Sequence, residues 1–368
     1  MVPIARRVLF AAKVKFLLTV LGVGTVLMLI LFLVAIFEGV KEGSTGYIVN
    51  SPAEIWICQK NSTNLLRSSS FIYSSKCQEI EKLRNIKNVE GILRIIATAQ
   101  IESKPITLFI FGFDPNASLS SPITIEGSTN ITNGEIILDE SFANKYNLSI
   151  EDTFSIKNRT FQVAGISTGT NATLAQFSFT TIEDAQQLLG FSSILSFYLV
   201  SVKDKTKIEK TLQLLKHKFP DYAVYNKEEF IQNNIDELKT GVLPILGIIA
   251  LLGFITGITI ITLMLYSAVQ ERREDYALLK AIGMQQKNLI VIVFYQSIII
   301  SFLAYSLSLI FYAIFSPYIV TLVPEISMKL TLEFVVLLSI CSVVIGLISS
   351  FASIHKLSGI YPAEVFRA

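Results

Sequence analysis

Carboxylates that could act together as a general acid and a general base occur at Glu135, Asp139 and Glu140, since such chemistry needs two ionisable groups near one another. Asp139 directly precedes a run of helical character, so we interpret it as a helix N-cap. The chain has two histidines, and His217 lies between two lysines on a predicted helix face, which indicates a solvated side chain rather than a ligand. These residues predict no catalytic site.

Motifs that would bind a cofactor or a catalytic metal are missing from the sequence. It contains no G-x-S-x-G nucleophile motif, no H-E-x-x-H zinc motif and no G-x-x-x-x-G-K-[ST] phosphate-binding loop. We therefore expect a non-catalytic protein with no cofactor-binding residues and no metal site of its own.

The composition indicates a membrane protein. Apolar residues make up 51% of the 368 residues, charged residues make up 16%, and the mean hydropathy is +0.55, whereas soluble domains contain about 25% charged residues. The 31 basic and 29 acidic residues nearly balance. This balance excludes a nucleic-acid-binding protein held by a strong positive field and a disordered polyelectrolyte.

Four stretches are apolar and long enough to cross a bilayer, which takes about 20 residues of helix. They are residues 16–37, 242–268, 289–315 and 330–352. Basic residues lie beside the first span, in the loop after the second span and in the C-terminal tail, and such residues mark the cytoplasmic side. The sequence thus predicts a multi-pass protein of the cell membrane with both termini in the cytoplasm.

This topology assigns each segment outside the spans to one side of the membrane. The prediction places a basic helix at 1–15, a coupling loop at 269–288 and a tail at 353–368 in the cytoplasm, and a large domain at 38–240 and a short loop at 316–329 outside. The expected fold is an α-helical membrane protein with four transmembrane helices and a large α+β extracytoplasmic domain between helices 1 and 2. Because four spans cannot enclose a pathway alone, we expect a dimer that meets near the glycines of 253–257.

The extracytoplasmic domain alternates short strands with helices, and its β-rich insertion spans about 105–180. Strands are predicted at 54–57, 106–112 and 194–202, a hairpin at 154–163 with Asn158 at its turn, and helices at 73–85, 181–189, 205–219 and 227–238. Thr181 is predicted to cap one of these helices. Six N-x-[ST] sequons lie in the domain, at Asn61, Asn116, Asn130, Asn147, Asn158 and Asn171. We expect a host that N-glycosylates surface proteins to modify them.

Two of the three cysteines, Cys58 and Cys77, belong to the predicted outer domain and lie 19 residues apart. A disulfide between them would contribute about 3 kcal/mol if the outside is oxidising, and two free buried thiols are the alternative. Cys341 falls within the fourth span, where we interpret it as a small packing residue.

The cytoplasmic loop carries the most specific pattern in the chain: residues Ser267–Asn288 read SAVQERREDYALLKAIGMQQKN. Within it, 271–282 predicts a short amphipathic helix with Tyr276 and Leu279 on one surface and charged residues around them. Such a helix, held between two spans, suits docking into a groove of a soluble partner. A helix that lies on the membrane surface is the alternative, but the acidic residues of the segment argue against binding to anionic lipid.

This loop resembles that of the FtsX-like permeases, the MacB, LolC and LolE group of ABC transporters. The family pattern is roughly E-R-x-x-E-x-[AG]-[LIV]-[LIV]-[KR]-A-[LIM]-G, and it is matched by Glu271, Arg272, Glu274, Ala277, Leu278, Lys280, Ala281 and Gly283. The resemblance extends over the chain through ARRVLFAAKVKFLLTVLGV, ILDESFANKYNLSIEDTFSIKNRTFQVAGI, FTTIEDAQQLLG and the ending YPAEVFRA. One departure is Ile150–Asp152, where the family commonly has Val-Gly-Asp.

The resemblance implies the permease subunit of an ABC transporter. A separate ATPase subunit would bind and hydrolyse ATP, and the permease would transmit the motion to its outer domain for efflux or for lipid or lipoprotein handling. A second permease copy or a paralogue would complete the assembly, with no nucleic acid bound. The residues implied to couple to the ATPase are Glu271, Arg272, Arg273, Glu274, Tyr276, Leu279, Lys280 and Gly283.

Two other functions fit the same topology. An FtsX-type regulator would activate an extracellular cell-wall hydrolase, but the large outer domain with its β-rich insertion favours the MacB and Lol branch. A membrane sensory receptor would normally place a kinase, a cyclase or a coiled coil inside the cell, whereas about 16 residues follow the last predicted span.

Overall fold

The computed structural model describes residues 13–101, 104–171, 175–271, 274, 278 and 284–358. The chain divides into two compact units. The first comprises the membrane helices, in residues up to 36, 243–318 and from 328 onward, and the second comprises 37–242 with 319–327.

Eight α-helices alternate with twelve strands over the described residues. The helices are α1 (Lys13–Asn50), α2 (Lys76–Glu81), α3 (Glu140–Tyr146), α4 (Ile182–Leu189), α5 (Ile208–Lys218), α6 (Lys227–Glu271), α7 (Gln286–Leu322) and α8 (Leu332–Ser358). The strands are β1 (Ile55–Gln59), β2 (Ile72–Tyr73), β3 (Ile86–Ile101), β4 (Lys104–Phe113), β5 (Thr124–Gly127), β6 (Glu135–Asp139), β7 (Thr153–Ile156), β8 (Arg159–Ser167), β9 (Phe177–Thr181), β10 (Ile194–Leu195), β11 (Phe197–Val202) and β12 (Tyr222–Asn226).

Helices α1, α6, α7 and α8 are each long and apolar enough to cross a membrane, which confirms the four predicted spans. Two of them are longer than the sequence predicts. Helix α1 continues past residue 37 to Asn50, and α6 begins at Lys227, well before the predicted span at 242. Each is therefore one unbroken helix that serves both as a membrane span and as part of the second unit.

In the first unit, the four helices share one apolar core. Its buried side chains come from all four: Phe16, Val20, Val23, Leu27 and Leu31; Ile261, Met264, Leu265 and Val269; Ile292, Val293, Ile300 and Ala304; Leu338 and Ile345. Glycine allows the closest approaches between helices. A Cβ at Gly346 would collide with the Ser301 hydroxyl, so α8 needs glycine there to pack on α7.

The glycines that predict a dimer contact pack within the chain. A Cβ built on Gly253 would lie 3.2 Å from a methyl group of Val26, and one on Gly257 would lie 3.5 Å from Ile345. These glycines therefore admit side chains of α1 and α8 of the same chain.

The second unit is built on one mixed sheet of ten strands. Its order is β12-β1-β11-β3-β4-β9-β6-β8-β5, with β7 paired to β3 and β8, and β10 and β2 form a separate pair. Strands β4 to β9 coincide with the predicted insertion at 105–180, but β4 pairs with β3 along its whole length. The insertion thus extends the sheet, and the α+β prediction is confirmed.

The two faces of the sheet bury different side chains, because successive residues of a strand point to opposite sides. In β1, Ile55 and Ile57 join a largely aliphatic cluster. Trp56 and Cys58 join an aromatic cluster on the other face. The aromatic face is the one that receives the outer parts of α1 and α6.

In this unit, the predicted hairpin and helix cap are confirmed, whereas the longer predicted helix and strand differ from the structure. The hairpin of β7 and β8 is confirmed, and Thr181 caps α4 by accepting a hydrogen bond from the backbone N–H of Asp184. The helix predicted at 73–85 is wrong except for α2, and the strand predicted at 194–202 is interrupted between β10 and β11. The longest strand, β3, lies where the sequence predicts none.

Candidate functional site

The coupling loop is described only in part. Of the implied coupling residues, Glu271 and Glu274 are described and both are exposed. The others lie outside the described residues: Arg272, Arg273, Tyr276, Leu279, Lys280 and Gly283. The geometry of the site is therefore built from the helix ends at the start of the loop.

In the first unit, Lys15 of α1 forms an ion pair with Glu271, the last residue of α6. Ser267, one helical turn earlier, lies between them: its hydroxyl oxygen is 3.2 Å from Lys15 Nζ and 3.2 Å from Glu271 Oε1. Lys15 and Glu271 side chains are about half exposed, so the pair contributes at most about 1 kcal/mol to stability. Its consequence is positional, because it joins the base of the loop to α1.

The sequence did not indicate this pairing. Lys15 counted only as one of the basic residues that set the topology, since 256 positions separate it from Glu271. The one signal available was a lysine directly before the predicted span 16–37, which has no charged residue of its own.

At the other end of these helices, in the second unit, α6 meets the last turn of α1. The ammonium of Lys227 donates hydrogen bonds of 2.7 Å to the backbone carbonyls of Val49 and Ser51. A cation at the carbonyl end of a helix is favoured by the helix dipole. Burial among these groups lowers the pKa of Lys227. The backbone N–H of Lys227 also donates to the carbonyl of Glu54, at 2.9 Å. We call Lys227, Val49 and Ser51 the helix joint.

Aromatic side chains fix both helices to the sheet beside this joint. Tyr47 of α1 lies 5.3 Å from Phe179 and 5.6 Å from Phe111, centroid to centroid. Phe230 of α6 stacks on Trp56 at 5.0 Å with an interplanar angle of 16°. All five rings are buried, so movement of either helix would displace side chains of the sheet.

Polar contacts hold α1 to the segment after β4. The Tyr47 hydroxyl donates to the carbonyl of Ser120 at 2.6 Å, and the Ser51 hydroxyl donates to the carbonyl of Leu119 at 2.6 Å. Glu90 of β3 accepts hydrogen bonds from the backbone N–H groups of Ser118, Leu119 and Ser120 at 2.8–3.0 Å. The segment is thus held between α1 and the sheet.

The segment between α7 and α8 is tied to the same unit. Glu325 pairs with Lys145 at 2.6 Å, and its backbone carbonyl accepts a hydrogen bond of 3.0 Å from Asn171 Nδ2. Asn171 is the one half-buried sequon asparagine, whereas the other five are exposed. Glycosylation stays a prediction, and the contact with Glu325 makes Asn171 the least accessible acceptor.

The residues first considered for chemistry take structural roles. The Asp139 carboxylate accepts hydrogen bonds from the backbone N–H of Ser141 and from the Thr170 hydroxyl, at 2.9 and 2.6 Å, which confirms the N-cap. Burial raises the pKa of Asp139. His217 is exposed. Within the described part of the chain, no group of three or more His, Cys, Asp or Glu residues could hold a metal ion.

Cys58 and Cys77 are free thiols. Cys58 is buried in the aromatic cluster, whereas Cys77 packs against the aliphatic cluster. The two thiols thus belong to the cores of opposite sheet faces, and this separation opposes a bridge. Burial raises the pKa of Cys58 to about 12 and that of Cys77 to about 11.

Comparison with known proteins matches both parts of the chain. A family model described as a MacB-like periplasmic core domain matches residues 16–218, and one described as an FtsX-like permease C-terminal domain matches residues 247–362. A putative hemin transport system permease protein of Staphylococcus haemolyticus is 22% identical and covers 91% of each chain. An uncharacterised ABC transporter permease of Methanocaldococcus jannaschii is 22% identical over 62% of this chain and 61% of its own.

Two solved structures are also similar to the chain. The periplasmic region of MacB from Actinobacillus actinomycetemcomitans is 15% identical, with a TM-score of 0.40, and the match covers 52% of this chain and 96% of that one. The extracellular domain of the transporter YknZ from Gram-positive bacteria is 13% identical, with a TM-score of 0.37, and the match covers 47% and 99%.

Proposed function

Because this chain belongs to the family of FtsX-like permeases with a MacB-like core domain, which are ABC transporter permeases, we propose that it couples ATP hydrolysis by a separate ATPase subunit to movement of its extracytoplasmic domain. In this proposal the permease is a non-catalytic, multi-pass subunit of the cell membrane with both termini in the cytoplasm. ATP is bound by the partner chain.

The observation that carries the proposal is the continuity of α1 and α6. Helix α1 contains Lys15 near one end and Tyr47 near the other, and α6 contains Phe230 and Glu271 in the same way. The two helices are joined to each other at both ends, by the Lys15–Glu271 ion pair and by the helix joint. Such a pair of helices is suited to act as one lever, since a continuous helix transmits displacement along its axis.

In this proposal, the ATPase moves the two helices by binding to the coupling loop. Glu271 ends α6, so an ATPase that docks on the loop acts directly on that helix. ATP can shift the outer domain only if the ATPase binds one conformation of the loop more tightly than another. Exposed Glu274 and Leu278, the latter 53% exposed, are available for that contact.

Co-purification of a candidate ATPase tests the docking surface. The variant Glu274→Lys with Leu279→Asp should lower recovery of the ATPase, because it reverses a charge and places a carboxylate on the predicted apolar surface. A matched control, Glu209→Lys with Leu214→Asp, makes the same two changes on α5 of the outer domain and should leave recovery unchanged. Equal recovery with both variants would contradict the docking assignment.

We also propose that the permease forms a dimer, but through exposed apolar residues of α6 instead of its glycines. Ile248, Leu252 and Ile255 of α6 are each more than half exposed, whereas Gly253 and Gly257 face other helices of the same chain. Cysteines at Leu252 or Ile255 should therefore crosslink two permease copies in native membranes more readily than cysteines at the glycines. Monomer alone at every position would count against the dimer.

A further inference from the structure

A large cleft in the second unit opens beside the helix joint. It has a volume of about 1080 Å³ and is lined by residues from the loop after α1, the start of β3, the end of β11 and the start of α6. Its ionisable lining consists of four lysines and two glutamates: Lys87, Lys203, Lys205, Lys227, Glu54 and Glu228. The lining is therefore net positive, although residues 38–240 as a whole hold 20 basic and 23 acidic residues.

One of the two glutamates is already neutralised within the fold. Glu54 is largely buried, and its carboxylate accepts hydrogen bonds from the backbone N–H of Val202, at 3.0 Å, and pairs with Lys205 Nζ at 2.8 Å. This pair fixes the loop after α1 to the end of β11. Glu54 is thus not free to neutralise the remaining lysines of the cleft.

Two lysines remain available to a ligand. Lys87 and Lys203 are exposed, and among the residues that the structure describes neither ammonium has a side-chain or backbone partner. Lys87 belongs to β3, and Lys203 directly follows the neighbouring β11. The two strands pair with Asn88 opposite Ser201, and the backbone N–H of Lys203 donates to the carbonyl of Asn85 at 2.9 Å. Lys87 and Lys203 therefore lie on adjacent backbone segments, at the ends of two inner strands of the sheet.

The cleft wall also contains apolar residues, beside the polar Asn88, Ser118 and Ser201. Exposed Pro52 and half-buried Ile208 supply its accessible apolar surface, whereas Ala53, Leu119 and Val202 are each at most 5% exposed. An inorganic ion alone would leave this surface unused. A ligand with an anionic group and an apolar body would satisfy both parts of the lining.

We propose that this cleft binds the phosphate group of an organic phosphate, with Lys87 and Lys203 as its main cationic contacts and the apolar part of the wall receiving the body of the ligand. Lysine binds phosphate as a point charge, and a phosphate monoester carries nearly two negative charges at neutral pH. Two adjacent lysines match that charge. The phosphate could belong to a lipid headgroup or to a soluble metabolite, and the chemistry of recognition is the same.

The position of the cleft gives binding a consequence for the helices. Lys227 lines the cleft while its ammonium holds Val49 and Ser51 of the helix joint. A phosphate in the cleft attracts that ammonium as well, so occupancy changes the contact that joins α6 to α1. This extends the proposed function by naming the chemistry of a ligand of the outer domain, and binding itself requires no ATPase.

Binding to the full-length chain in detergent tests the proposal without any partner. Inorganic pyrophosphate and a short-chain phosphatidic acid serve as probes, titrated calorimetrically at low and high salt, and a short-chain diacylglycerol, which has the same acyl chains and no phosphate, is the reference. Wild type should bind at least one phosphate probe and not the reference. The variant Lys87→Gln with Lys203→Gln should bind at least tenfold more weakly, and Lys104→Gln with Lys216→Gln, which removes the same charge from exposed sites elsewhere, should bind as wild type does.

The two probes separate the sources of the phosphate. Binding of both indicates recognition of the phosphate alone, and binding of phosphatidic acid only indicates a lipid ligand. Absence of binding by wild type, or equal weakening in the two double variants, would overturn the proposal. Either result would leave association with the ATPase untouched, so failure of the site and failure of the coupling function remain distinguishable.

Discussion

Lys227, the first residue of α6, donates a hydrogen bond of 2.7 Å to the backbone carbonyl of Val49 in the last turn of α1. The contact lies in the second unit, where the two helices that also span the membrane meet the sheet. A lysine so placed satisfies carbonyls that the end of a helix leaves without partners and adds a favourable charge to the helix dipole. It makes the ends of α1 and α6 one structural element.

Replacing this lysine should loosen the joint. Lys227→Met keeps the aliphatic stem and removes both hydrogen bonds to the carbonyls, so we expect a loss of about 1–3 kcal/mol in the free energy of unfolding of the outer domain. Trp56 is the only tryptophan of the chain and is buried beside the joint, so its fluorescence during urea unfolding reports this domain. Lys239→Met, at an exposed lysine of the same helix, should change stability by less than about 0.5 kcal/mol. Equal free energies of unfolding for wild type and Lys227→Met would show that the helix joint does not stabilise the outer domain.

The stacked pair of Phe230 and Trp56 should contribute more. Phe230 is fully buried, and truncating such a ring to alanine costs about 3–5 kcal/mol. Phe191→Ala is the matched control, since that ring is 63% exposed, and it should have little effect. The same urea unfolding experiment compares them. A loss below about 1 kcal/mol for Phe230→Ala would show that α6 is not fixed to the sheet by this contact.

The ion pair at the base of the coupling loop should matter for coupling rather than for stability. Lys15→Glu or Glu271→Lys alone should lower ATP hydrolysis by the assembled transporter several-fold, because each places two like charges beside Ser267. The double exchange restores an attractive pair and should recover most of the activity. Unchanged hydrolysis in both single variants would mean that this pair does not transmit motion, and unchanged protein yield in membranes excludes misfolding as the cause.

The outer-domain thiols should be unreactive. Burial raises the pKa of Cys58 to about 12 and that of Cys77 to about 11, and the reactive species is the thiolate. At pH 8 both should react slowly with a thiol reagent in the folded chain and quickly after unfolding, while a Cys58→Ala, Cys77→Ala chain reports Cys341 alone. A mass lower by two hydrogens without reductant would instead reveal a disulfide.

The same pKa shifts predict how stability depends on pH. A raised pKa in the folded state means that the unfolded thiols lose their protons first, above about pH 8.5. The unfolded state then binds fewer protons than the folded state, so stability falls as pH rises from that point. Substituting both cysteines by alanine should flatten the urea midpoint between pH 8 and pH 10, relative to wild type.

Sequence predicts those parts of the fold that depend on neighbours in the chain. The spans, the β7–β8 hairpin and the caps at Thr181 and Asp139 are all set by apolar runs or by residues within a few positions. The first half of β3 could not be found in this way, because its partners in β11 lie more than 100 residues away. Its second half forms a hairpin with the adjacent β4, and no turn signal in the sequence indicated that hairpin.

The candidate site likewise contains residues that the sequence identifies and residues that it does not. The resemblance of the loop identified Glu271, but its partner Lys15 comes from the other end of the chain. The helix joint and the lysine cleft are assembled from segments between residues 49 and 228, each unremarkable in isolation. Such sites depend on the tertiary fold, and only the structure brings their residues together.

In the proposed mechanism, ATP hydrolysis moves the outer domain through α1 and α6. Spin labels on cysteines introduced at exposed Asn116 and Phe302, in a Cys341→Ala background, place one label in each unit. Pulsed EPR on the nanodisc-reconstituted transporter, diluted with unlabelled chains, then measures their distance with and without trapped ATP. We expect a shifted distance distribution on trapping, and a smaller shift in the Lys15→Glu variant. Identical distributions, while the bound ATPase continues to hydrolyse ATP, would contradict it.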